Sequence, residues 1–64
     1  MKTTYDHEAN ALYVKFSEEK IDRTEELRPG LILDFDNRGY IVGIEMLDAK
    51  TQLSAAALKS LAAA

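Results

Sequence analysis

Residues 34–45 read DFDNRGYIVGIE. They can be laid over the calcium-binding loop of an EF-hand, with Asp34 at loop position 1, Asp36 at 3, Gly39 at 6, Ile41 at 8 and Glu45 at 12. The same letters also spell a β-hairpin. Two features decide between them. Position 5 of the loop would be Arg38, a cation where the metal needs an oxygen, and position 9 would be Val42, which donates nothing. An EF-hand also needs a helix on each side. The preceding RPGLIL carries a helix breaker and a strand pattern, and YIVGIEML is rich in residues that favour a pleated surface. The hairpin accounts for every letter: Asp36 and Asn37 open the turn, and Gly39 takes the left-handed conformation that closes it. Two registers remain open. A bulge at Gly39 puts Asp36 opposite Tyr40 and Phe35 opposite Ile41, whereas a four-residue loop puts Phe35 opposite Tyr40 and reverses every later side chain.

Outward from the hairpin, Arg28-Pro29-Gly30 is the strongest turn signal in the chain. Before it, Ile21 to Leu27 reads as a polar edge strand whose charges oppose edge-to-edge pairing. Ala11 to Phe16 alternates, with Leu12, Val14 and Phe16 on one face. Thr3, Thr4 and Tyr5 favour a first short strand, and Asp6 to Asn10 a turn. After Thr51 the composition changes to good helix formers, QLSAAALKSLAAA, with Thr51 or Ser54 as cap and Leu53, Leu58 and Leu61 on the apolar stripe. The fold expected is α+β: one domain over residues 1–64, a small antiparallel β-meander of four to five strands with one C-terminal helix packed on one face. The strands fall at about 2–5, 11–16, 21–27, 31–36 and 40–47, and the helix at about 51–62. Gly43, inside the most apolar strand, marks a bulge or a close approach by another group.

Composition narrows the function classes. A 64-residue chain with no cysteine and one histidine has neither disulfides nor a thiolate–zinc site to reinforce it. A chain this short buries only about 60% of the surface its unfolded form exposes. Its basic residues are scattered and the net charge is −3, so nucleic-acid binding by this chain alone is disfavoured. No stretch has the length of a membrane span or the apolar core of a leader, and a cytoplasmic location is the default expectation.

Little in the chain has the pattern of catalytic chemistry. Asp6-His7-Glu8 could pair an imidazole base with an orienting carboxylate, but a solvated turn is the plainer reading. No serine sits in a nucleophile motif, and the glycines are not spaced to cradle phosphate. Asp34, Asp36, Glu45 and Asp48 could gather near one end of the hairpin around a weakly held cation; a solvated surface is the plainer reading. No catalytic, cofactor or metal residue is therefore assigned. Both registers leave large apolar groups on both faces of the sheet, more than one helix covers. Self-association follows, first of all as a dimer, with Ile32, Ile41, Val42 and Ile44 as candidate interface residues on the face opposite the helix.

The segments YDHEANALYVKF and RPGLILDFDNRGYIVGIEMLDA also resemble a widespread family of short bacterial and archaeal proteins, catalogued as a domain of unknown function. Its pattern is roughly Y-D-x-x-x-D-x-L-Y-[IV], then G-[IV]-x-L-D-[YF]-D-x-x-G-x-[IL]-V-G-[IL]-E-[IL]-L-D-A. The resemblance runs from about Lys2 to Ala49, with Asn10 where the family often has Asp. It implies a small antiparallel sheet with a helix and carries over no catalytic residue. Some members are thought to lie beside small toxin-like proteins. A non-enzymatic protein-interaction module is the leading expectation. An antitoxin-like acidic partner of a small basic toxin is the alternative, and a metal-dependent enzyme a more distant one.

Overall fold

A computed structural model describes residues 1–63. Five strands form one antiparallel sheet: β1 (Lys2–Asp6), β2 (Ala11–Lys15), β3 (Arg23–Arg28), β4 (Leu31–Phe35) and β5 (Ile41–Met46). Two short helices follow, α1 (Ala49–Gln52) and α2 (Ala55–Ala63). The small α+β architecture is the one expected from the sequence, but its connectivity is finer than a continuous meander. The strand order is β1-β2-β5-β4-β3. β3, β4 and β5 run as a meander, and the β1–β2 hairpin adds to the free edge of β5. The chain from Phe16 to Asp22 therefore crosses the end of the sheet, held by hydrogen bonds from Phe16 N to Val42 O and from Asp22 N to Phe35 O.

The hairpin takes the bulged register. Asp36 N donates to Tyr40 O, and Phe35 lies opposite Ile41. Gly39 has φ of 87°, as the closing position requires. A second irregularity follows at once, because Asp34 pairs with Gly43 rather than Val42. The extra residue restores the alternation, so Ile44 lies opposite both Val14 and Leu33.

Residues opposite one another in an antiparallel ladder point to the same face. Leu12, Val14, Leu31, Leu33, Ile44 and Met46 therefore share one face, with Thr3 and Tyr5 at its β1 side. Thr4, Tyr13, Lys15, Thr24, Ile32, Asp34, Gly43 and Glu45 share the other. α2 lies over the first face, where Leu53, Ala57 and Leu61 line an apolar groove with Thr3 and Leu12.

The single helix expected over 51–62 is broken in two. Leu53 is extended, with φ −102° and ψ 151°. Gln52 shows why the chain turns there. Its Nε2 donates to Gly30 O and Leu47 O at 3.0 and 2.6 Å, and Arg28 donates to its Oε1. Ser54 then starts α2, with Ala57 N donating to its Oγ at 3.1 Å. Leu58 and Leu61 are half-buried while Lys59 and Ser60 are exposed, the polarity expected of the leucine stripe.

Candidate functional site

The most unusual chemistry sits on the face that carries no helix. Asp34 is 1% exposed and is the largest fully buried side chain. Its position follows from the register: β4 is covered on both sides by β3 and β5, and Asp34 lies between Thr24 and Gly43. The Thr24 hydroxyl donates to Oδ1 at 2.9 Å. Oδ2 is buried without a hydrogen-bond partner. A buried, unpaired carboxylate oxygen is costly, and few natural proteins tolerate one without a reason.

Gly43 makes the burial possible. A methyl group there would lie 2.9 Å from the Tyr13 hydroxyl and 3.3 Å from Asp34 Oδ2. The missing side chain is thus the gap into which the Tyr13 ring and the Asp34 carboxylate lean from either side. Tyr13 is opposite Glu45, so both project from the same face. Burial, followed by the Asp34 charge, raises the Tyr13 hydroxyl above its usual value of 10.0 and keeps it protonated at neutrality. Burial also raises Glu45 above the usual 4.5, and the neighbouring Asp34 charge adds to it.

The four acids singled out in the sequence do not form one cluster. Asp34 and Glu45 come together on the open face. Asp36 instead closes the turn, its Oδ1 accepting from Arg38 N at 2.9 Å and Tyr40 N at 3.0 Å. Asp48 has left-handed φ of 52° and accepts from Asn10 Nδ2 through Oδ1, and from the Thr51 hydroxyl through Oδ2. The solvated-surface reading fails for Asp34, because the ladder traps it between β3 and β5. Among the described residues no group of three His, Cys, Asp or Glu is placed to hold a metal ion.

In the Asp6-His7-Glu8 turn, Asp6 Oδ1 accepts from Glu8 N and Ala9 N. The carboxylate thus shapes the turn, while His7 meets the Tyr5 ring edge-on at 4.7 Å. The candidate interface residues are also separated. Ile32 is on the open face and Ile44 on the helix face, as neighbours of the opposite-facing pairs Ile32–Glu45 and Leu33–Ile44 require. Val42 is buried at 4% exposure, and Ile41 stands exposed at the hairpin end. Tyr13 and Thr24 were not singled out in the sequence as partners of Asp34. Gly43 was the available signal, since an isolated glycine in an apolar strand announced a close approach without naming the group that approaches.

No helix among the described residues is long and apolar enough to cross a membrane. No curated protein and no solved structure matches the chain. The model of a family described as Protein of unknown function (DUF2283) does match, over residues 2–50, a span that holds Tyr13, Asp34, Gly43 and Glu45 and stops short of α2, and the chain belongs to that family.

Proposed function

We propose that the protein is a non-enzymatic interaction module that works by self-association, first of all as a homodimer closed over its helix-bearing face. The observation that supports this reading is how little the single chain buries. Val42 and Ala49 are its only buried hydrophobic residues among those described. The accessible surface is 4725 Å², whereas a compact monomer of this mass exposes about 4,100 Å². The radius of gyration is 12.2 Å, against about 10.7 Å for a compact 64-residue domain. The excess of roughly 600 Å² approaches the 800 Å² or so that each partner buries in a standard interface.

A second copy fits the helix face for reasons of chemistry. Its apolar rows are only half-buried, from Leu12 and Val14 through Ile44 to Leu31 and Leu33. The groove beside them is lined by Leu12, Leu53, Ala57 and Leu61 with Thr3 and Ser60, and measures about 510 Å³. Lys59 is the one charged residue of α2, so two chains of like charge can meet there with little repulsion. A two-fold axis through this face covers it with itself.

Sedimentation equilibrium at micromolar concentration should give a multiple of the 7.1 kDa chain mass. The melting temperature should rise with protein concentration, since dissociation and unfolding are coupled in such dimers. A 7.1 kDa particle with a melting temperature unchanged by dilution overturns the reading.

A further inference from the structure

We propose that Asp34 and Glu45 form a single proton-binding site, a carboxylic acid–carboxylate pair closed beneath Tyr13 on the open face of the sheet. Three geometric facts lead there. Asp34 Oδ1 is taken by Thr24, and Oδ2 is buried with no partner. Glu45 lies two residues along β5 from Gly43, the residue opposite Asp34, so the two carboxyls are diagonal neighbours on one face. Gly43 leaves the space between them unfilled by any side chain of its own.

Two ionised carboxylates in that arrangement offer only acceptors to one another, and their charges repel in a poorly hydrated setting. One proton resolves both problems: the Glu45 acid O–H donates to Asp34 Oδ2, and the pair carries one charge instead of two. The raised protonation range of Glu45, caused first by burial and then by Asp34, points the same way. The ligand class follows from the space. An oxygen this enclosed cannot admit a hydrated ion or an organic group without displacing Tyr13, and two carboxylates fall short of a metal-binding set. A proton needs no cavity.

The other charged and titratable groups of this face are placed around the pair rather than between its members. β2 supplies Tyr13, which stays neutral, and Lys15, opposite Gly43; Glu26 on β3 stands opposite Ile32. β1 carries Lys2 and Asp6 at its two ends, with Thr4 opposite Tyr13. Among the described residues no cation is hydrogen-bonded to Asp34 in place of the proton. Because the folded chain holds a proton that the unfolded chain releases, the pair stabilises the fold fully below the ordinary glutamate value of 4.5. That contribution is lost as pH rises through the raised folded value.

The test is a titration of the wild-type protein, followed by carboxyl-carbon NMR, with sedimentation at both ends of the range to keep the oligomeric state separate. Glu45 should titrate above the ordinary glutamate range, and the Asp34 carbon should move in the same step. Urea midpoints should rise as the wild type is acidified from neutrality to about pH 5, and Glu45→Gln should abolish that rise while matching or exceeding the wild type at neutral pH. Glu45 titrating in the ordinary range, with Asp34 silent, overturns the proposal. So does a step displaced by millimolar magnesium or calcium, which would make the pair a cation site. The NMR arm needs no variant, and therefore survives a Glu45→Gln chain that fails to fold.

Discussion

Gly43 is the residue on which the open face turns. The Tyr13 hydroxyl and Asp34 Oδ2 both come within contact distance of where its side chain would begin. Gly43→Ala should therefore push Tyr13 outward and uncover the carboxylate, at a cost of about 1–3 kcal/mol, the usual range for an overpacked site. The nearest atom is the hydroxyl, 2.9 Å away. Removing it by Tyr13→Phe should make the same alanine substitution cheaper. Urea midpoints of the four proteins in that cycle measure the coupling. Equal costs in the two backgrounds would mean that Tyr13 is not what fills the gap. The glycine was legible in the sequence as a place of close approach. Its visitors were not, because Tyr13, Asp34 and Thr24 come from three different strands, and a one-residue slip in any of them moves its side chain to the opposite face.

Among the elements, the β4–β5 hairpin was the most legible, since Asp36, Asn37 and Gly39 carry turn chemistry that needs no partner elsewhere. The irregularity that pairs Asp34 with Gly43 falls where the isolated glycine marked a bulge or a close approach. The hairpin also disposes of the EF-hand resemblance in a measurable way. Asp36 Oδ1 already accepts two backbone N–H groups of the turn. Calcium at millimolar concentration should leave the melting temperature unchanged; a saturable rise that Glu45→Gln removes would contradict this. The broken helix was less legible. Composition and leucine spacing favour one continuous helix, but Gln52 reaches back to Gly30 and Leu47 and fixes the break at Leu53. Such a clip joins residues 22 positions apart, a separation that no local pattern encodes. Gln52→Ala should cost about 1 kcal/mol, by removing the donor to Leu47 O and the second donor to Gly30 O, which keeps its bond from Leu47 N. Chemical-shift changes at Gly30 and Leu47 would locate the loss, and shifts confined to α2 would show that the clip does not hold the turn.

At the scale of the whole molecule, local patterns gave strand number, edge character and fold class, while the joining of β2 to β5 is a long-range event that leaves no local mark. That pairing is what sorts the side chains: it places Leu12 and Val14 beside Met46 and Ile44, and Tyr13 beside Glu45. The apolar surplus expected on the face opposite the helix gathers instead on the side of α2, because the β2–β5 register turns Ile44 to that side, and the open face holds Ile32 beside Asp34 and Glu45. The two faces make opposite demands on a dimer, and two substitutions separate them. Leu61→Glu puts a charge at the groove where the second copy is proposed to sit. It should raise the dissociation constant about tenfold or more, equivalent to roughly 1.4 kcal/mol or more of lost association. Ile32→Ser, on the open face, should leave the dissociation constant within about twofold, less than 0.5 kcal/mol by the same relation. Sedimentation velocity across a dilution series reads both, and amide spectra of β2 and β5 check that the sheet persists in each variant. The reverse pattern, dissociation by Ile32→Ser and none by Leu61→Glu, would move the interface onto the open face and seal the Asp34–Glu45 pair inside it.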